Sequence, residues 1–337
     1  MNKALCLATT ALTAGLFAAP AMAQTTTLRV ADVYPTTHPV SNTTIKVFMD
    51  EVKKRLGDKI AFEYYPAEQL GKGKDLLALT QQGVVDIGLV VPSYVSDKLP
   101  LSAVAELPGA YDTSCAGTQA MQRMATEGVL AEKEFAANGV RVLIAHTFAP
   151  FQAFSTKPFE SLDSYQGQKL RTLGLVTDMT IEALGAVPIR ISAPEINEAM
   201  SRGTIDGGLF GIATAVSYDL VSYLKSATYG ESFGGAFVTY AISEDNWNKL
   251  PEDVQQVMIE VGNEASLNGC QKADAAVDAQ FDELRAANVQ IVELSDEDKA
   301  KFDASTTDIG KEWAATLDAR GLPGAEVLEA FQRQLTQ

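Results

Sequence analysis

One arginine carries most of the chemistry this sequence offers. Arg171 closes the run Gly167-Gln168-Lys169-Leu170-Arg171, and the alternation of Lys169, Leu170 and Arg171 is that of a short strand with both cations directed away from the leucine. A guanidinium stays charged in any pocket, and its planar fork matches a carboxylate through two parallel hydrogen bonds. A strand arginine without further context is an ordinary surface ion pair, so the surrounding chain has to decide. Other reactive groups are sparse. Only two histidines occur, His38 and His146, neither with a partner at metal-ligand spacing. There is no His-Glu-x-x-His and no Cys-x-x-Cys pair. Gly71-Lys72-Gly73-Lys74 lacks the length and the terminal Ser or Thr of a phosphate loop, and reads as a turn. The carboxylates are too numerous for any two to stand out as a glycosidase pair. Capture of a small anion is the chemistry on offer; no cofactor, metal or catalytic set is expected.

The ends and the charge set the compartment. Lys3, the apolar run Ala4 to Pro20 and the small-x-small site Ala21-Met22-Ala23 before Gln24 read as an export signal over residues 1–23. Its removal leaves 314 of the 337 residues, enough for two lobes, and takes the net charge from −16 to −17 because only Lys3 is lost. The run is short for a membrane span, and no later stretch reaches the roughly 18 apolar residues one needs. The acidic balance argues against nucleic acid or an anionic membrane surface as partner, both of which need a basic patch. It does not argue against an anionic ligand at one buried cation. Cys115 and Cys270 survive cleavage; an oxidising compartment permits a bridge, and two buried thiols remain equally open.

The elements that must position Arg171 alternate. Leu28–Ala31 reads as a strand. Ile45, Phe48, Val52 and Leu56 recur at helical spacing from an N-cap at Asn42 to a stop at Gly57. Ile60–Tyr65 is a strand, Asp75–Gln82 a helix and Val85–Val91 a buried parallel strand, so the class is α/β. Gln82-Gly83-Val84-Val85-Asp86 is echoed by Arg202-Gly203-Thr204-Ile205-Asp206, each glycine ending a helix in the left-handed region. That echo points to two similar lobes. Val142–Ala145 and Gln152–Ser155 flank a Phe148-Ala149-Pro150-Phe151 break that reads as a crossing between them. Phe237–Ile242 returns. Pro251 then opens a helix to about Ala287, roughly 50 Å if unbroken, unless Gly262 and Gly269 split it. Val289–Val292 and helices around Trp313 and Leu328 end the chain. The expected division is lobe I at 24–148 plus 237–277 and lobe II at 149–236 plus 278–337, with packing of the last helices back on lobe I left open.

At this point the chain resembles a known family, the solute receptors of tripartite ATP-independent periplasmic (TRAP) transporters. The resemblance spans the mature chain through His38-Pro39, Gln69-Leu70-Gly71, Gln82 to Asp86, Glu106-Leu107-Pro108, Gly167 to Arg171, Glu195 to Met200, Gly203 to Gly207 and Trp247 to Pro251. Their order and spacing carry it, since no single piece is specific. It implies a two-lobed periplasmic binding protein fold of type II-like form, with a long helix spanning both lobes. It also implies that Arg171 clamps a ligand carboxylate in the cleft, that the chain works in the periplasm, and that it delivers its ligand to an integral-membrane permease. A monomer is expected. Two departures bear on the ligand. Where members that bind polar acids follow Asp-Gly with Gln-Glu-Asn, this chain has Gly208-Leu209-Phe210. The second basic residue of some members should fall near Phe151 or Gln152, and neither is basic; Val91-Pro92 stands where some place a glutamate. The expected lining is therefore one cation among Tyr34, Val91, Tyr94, Phe148, Phe151 and Phe210, with Tyr94 and Gln152 orienting the ligand. That suits a small monocarboxylate with an apolar or aromatic body; a dicarboxylate requires Lys169 or Arg190 to reach the cleft. A sensor module with the same binding chemistry, or a periplasmic enzyme acting on a small acid, remains open.

Overall fold

The computed structural model describes residues 25–336, so the export-signal reading lies outside the described residues. In chain order the strands are β1 (Thr26–Ala31), β2 (Ile60–Tyr65), β3 (Ile87–Val90), β4 (Val140–Thr147), β5 (Gln152–Ser155) and β6 (Lys169–Thr172). Then come β7 (Val187–Arg190), β8 (Gly207–Phe210), β9 (Ser226–Thr228), β10 (Phe237–Ser243) and β11 (Gln290–Val292). They form two sheets, one in the order β2-β1-β3-β10-β4 and one in the order β11-β9-β5-β8-β6-β7, which give the two lobes. In the first, β1, β2 and β3 are parallel and β10 returns antiparallel between β3 and β4. In the second, β6, β7 and β8 are parallel and β5 is antiparallel to β8 and β9. The central strands are buried on both faces, which is why β3 and β8 are apolar or glycine throughout.

The internal echo is a repeated structural device. Gly83 and Gly203 take φ of 70° and 66° and turn a helix back to its sheet. Three residues on, Asp86 accepts the N–H of Arg29 at 2.7 Å, and Asp206 accepts that of Lys169 at 2.9 Å. In both lobes a carboxylate pins the returning strand to its neighbour, and in the second lobe that neighbour carries Arg171.

Two extended segments cross between the lobes side by side. Phe148 N–H donates to Ala236 O at 3.2 Å, Phe151 N–H to Gly234 O at 2.8 Å, and Phe233 N–H to Phe151 O at 3.0 Å. The helix Glu252–Ala286 runs unbroken for 35 residues and is the third connection. Gly262 and Gly269 do not split it. A Cβ on Gly262 would lie 2.2 Å from Leu143 O, and one on Gly269 would lie 2.4 Å from Thr44 Cγ2, so these glycines let the helix press onto the first lobe. Further along the same helix, Phe281 and Leu284 are buried in the second lobe's core with Phe154 and Ile196. Cys270 is disulfide-bonded to Cys115, and Asp274 accepts the Ser114 and Cys115 N–H groups at 2.7 and 3.0 Å. The helix Ser114–Thr126 is thereby tied to the long helix. From the C-terminal helices, Trp313, Leu317, Val327 and Phe331 are buried in one cluster with Met121, Leu130 and Phe135 of the first lobe.

The first helix differs from expectation. A short helix Pro39–Thr43 precedes Ile45–Leu56, and its cap is His38, whose Nδ1 accepts the Val40 N–H, rather than Asn42. The Pro at the first helical position fixes that start one turn early.

Candidate functional site

Arg171 lies at the interior of its sheet, between Ile189 on β7 and Gly208 on β8. Its register partner explains the glycine: a Cβ on Gly208 would sit 2.7 Å from Arg171 Cβ, so only glycine leaves room for the arginine stem to rise along that face. The side chain is 2% exposed. Two backbone carbonyls at strand ends hold it, Ile191 O from Nε at 2.9 Å and Leu209 O from Nη1 at 3.3 Å. The Tyr94 hydroxyl is a further side-chain hydrogen-bond partner, and no ion pair among the described residues involves Arg171. Burial lowers the guanidinium's pKa, and the neighbouring Tyr94, Tyr34 and Glu106 work against that. A buried cation with only neutral partners is costly, and is normally found paired.

Around it the structure gathers groups from both lobes. Tyr34 is buried and stacks on His38 with centroids 4.0 Å apart. Phe148 meets both rings edge-on at 6.4 Å, and Phe151 packs edge-on against Phe148 at 6.2 Å. Tyr94, in the turn Pro92–Val95, accepts the Ala193 N–H at 2.7 Å, a hydrogen bond from the second lobe to the first. Burial raises the pKa of both phenols, while the Arg171 charge pulls the other way. Val91 sits in the first lobe's core directly beneath this turn, its carbonyl accepting the Tyr94 N–H at 2.9 Å. Beneath Tyr34, the buried Asp32 accepts from Ser41, Tyr64 and Tyr240 hydroxyls at 2.7–2.8 Å and from the Tyr34 N–H at 2.9 Å. This satisfied carboxylate fixes the loop that carries Tyr34 and His38.

Two residues expected in the lining are otherwise engaged. Gln152 accepts from Thr228 Oγ1 at 2.9 Å and donates to Glu231 O, so its amide ties the two crossing segments together. It faces a cleft of about 1120 Å³ bounded by Pro150, Glu231, Phe281 and the C-terminal helices. Phe210 is fully buried and stacks flat on Phe154 at 4.3 Å, within the second lobe's core. A second, apolar cavity of about 220 Å³ lies against Phe148 and His146, between Val40 and Ile212. Of the other cations considered, Lys169 is exposed, and Arg190 is held by Asp178, with Nε donating at 2.9 Å.

Three neighbours escaped the sequence reading as site residues. His38 and Glu106 stood within motifs that were noted without a role, and Tyr218 carries no sequence signal at all. Glu106 is buried beside Gly174 of the second lobe; Ser93 donates to one oxygen and the other has no partner among the described residues. Burial pushes its carboxyl up to about 7, with Ser93 and the Arg171 charge opposing and Asp178 adding to the rise. The described residues contain no cluster of His, Cys, Asp and Glu able to hold a metal ion. No described helix is long and apolar enough to cross a membrane.

The architecture has close counterparts. A marine metagenome TRAP solute-binding protein in complex with 3-hydroxybenzoate superposes with a TM-score of 0.85 at 24% identity, covering 93% of this chain and 98% of that one. A TRAP solute-binding protein from Rhodoferax ferrireducens in complex with benzoate gives 0.84 at 24% identity, with coverage of 93% and 98%. In sequence, a solute-binding protein from Albidiferax ferrireducens is 26% identical over 82% of this chain and 83% of its own length. The family model for bacterial extracellular solute-binding proteins, family 7, matches residues 30–316, and the chain belongs to that family.

Proposed function

We propose that this receptor captures a small monocarboxylate with an apolar or aromatic body between its lobes, in the periplasm, and delivers it to the membrane permease of a TRAP transporter. The observation that carries the reading is Arg171, buried, planted by two carbonyls and in no ion pair among the described residues. Such a cation is stabilised by an anion that arrives from outside, and the fork geometry selects a carboxylate. Tyr34, Tyr94 and Phe148 enclose the body of the ligand, Val91 and Phe151 complete the floor, and Gln152 and Phe210 set the wall and hinge behind them. Arg190, occupied by Asp178, is not available for a second carboxylate. The benzoate and 3-hydroxybenzoate carried by two similar structures agree with this ligand class.

In this reading the lobes, 24–148 plus 237–277 and 149–236 plus 278–337 with the C-terminal helices packed back on the first lobe, close because the ligand touches both only in the closed form. Its differential affinity shifts the population that way. The Tyr94–Ala193 hydrogen bond is one contact made on closure. The receptor acts as a monomer, uses no cofactor and performs no chemistry on its cargo. The test is a thermal-shift panel of aromatic, aliphatic and dicarboxylic acids on the purified mature chain, followed by calorimetry and by chromatography of the recovered ligand. Aromatic monocarboxylates should raise the melting temperature and be recovered unchanged. A panel in which only dicarboxylates bind, or in which the acid is converted, refutes the proposal.

A further inference from the structure

We infer that His38 and Tyr218 form a second polar anchor in the site, one that recognises an oxygen substituent on the body of the acid. The inference rests on the receptor reading above and narrows its ligand class. The two rings come from opposite lobes, His38 from the cap of helix Pro39–Thr43 and Tyr218 from the end of helix Ile212–Ser217. Their centroids are 6.0 Å apart with the planes tilted by 53°. Each presents a buried polar atom with no partner among the described residues, Nε2 of His38 and the hydroxyl of Tyr218. Buried polar groups are almost always hydrogen-bonded, so a facing pair of orphans across a closable junction needs a partner.

The chemistry of that partner follows from the imidazole. Nδ1 already accepts the Val40 N–H at 3.3 Å, which leaves the ring proton on Nε2. Burial, with His146 nearby, lowers the His38 pKa to about 3, so the ring is a neutral donor and not a second cation. Arg171 and Tyr94 both act on the Tyr218 phenol, which places the pair in the Arg171 neighbourhood. A ligand hydroxyl fits both atoms: its oxygen accepts from His38 Nε2–H while its proton goes to the Tyr218 oxygen. A carbonyl oxygen accepts from both. An acid lacking a second oxygen leaves the pair unmatched, and sites built this way discriminate against such analogues by about 5- to 150-fold per unpaired group.

The test is calorimetry on the mature chain with benzoate against its 2-, 3- and 4-hydroxy derivatives, and with phenylacetate against mandelate. Wild type should prefer at least one hydroxylated acid by about 5-fold or more. Tyr218→Phe keeps the ring and should bring that ratio towards one. His38→Phe, which keeps the stack on Tyr34, should do the same if its melting temperature shows it folded. Preference ratios near one in wild type, or a ratio unchanged in Tyr218→Phe, overturn the inference while leaving the receptor reading intact. Arg171→Met separates the two: if it binds every acid as wild type does, the receptor reading itself fails.

Discussion

Replacing Arg171 by methionine tests the central argument, because binding and folding should respond differently. Methionine keeps an unbranched stem and removes the charge. In the free protein the change deletes the bonds to Ile191 O and Leu209 O, at 2.9 and 3.3 Å. Hydrogen bonds from a charged donor are worth roughly 1.5–3 kcal/mol each, so about 3–6 kcal/mol is lost at most. Against this, the buried guanidinium no longer has to be stripped of water, which returns several kcal/mol for an ion. The two nearly cancel, and the stability of the free protein should move by no more than about 2 kcal/mol, or a few degrees in melting temperature. Binding has no such compensation. The carboxylate loses its charged partner, at a cost of about 2–5 kcal/mol, or roughly 30- to 5,000-fold in Kd. Arg171→Lys, a point charge without the fork, should fall between the two variants. Scanning calorimetry on the free protein and titration calorimetry with the tightest acid read both quantities. A large loss of stability together with an unchanged Kd would show that Arg171 is a structural strut, and the reasoning would be wrong.

Other perturbations follow from the same geometry. Reducing the Cys115–Cys270 bridge opens a loop of 155 residues, for which loop-closure entropy gives at most about 5 kcal/mol; urea unfolding with and without reductant should show a clear drop, and coincident curves would contradict it. Gly262→Ala gains helix propensity of about 1 kcal/mol, but its Cβ would sit 2.2 Å from Leu143 O. The variant should therefore be destabilised by about 1–3 kcal/mol in urea; a stabilised variant would mean that the helix is not seated where it is described. Glu106 is pushed up to about 7 by burial, above its value of roughly 4.3 in the unfolded chain. Its protonated form therefore contributes stability that is fully present below the unfolded value and lost as pH rises through about 7. Glu106→Gln, uncharged throughout, should flatten the decline in unfolding free energy between about pH 4.5 and 7.5, by on the order of 1–3 kcal/mol. Parallel profiles for the two proteins would refute it.

Local chemistry wrote a good part of this architecture into the sequence. The buried run at Ile87–Val90, the left-handed glycines at 83 and 203 and the alternation at Lys169–Arg171 each depend on residues a few positions apart. They form the same elements wherever they are packed. Arg171 was legible for that reason, as a cation on a short strand. Gly262 and Gly269 show the limit: within the helix they read as weak points, and only the approach of Leu143 and Thr44 reveals them as points of contact. The surroundings of Arg171 lie wholly beyond local reading. Phe210 was expected towards the ligand, but Phe154, on β5 two residues beyond Phe210's register partner Gln152, stacks on its ring in the core. Tyr34, Tyr94 and Tyr218 come from distant parts of the chain and from both lobes, and their shared neighbourhood exists only because the lobes meet there. Periodicity fixes which way a side chain leaves its own element; what it then meets is fixed by the packing of other elements, and that is a property of the folded chain alone.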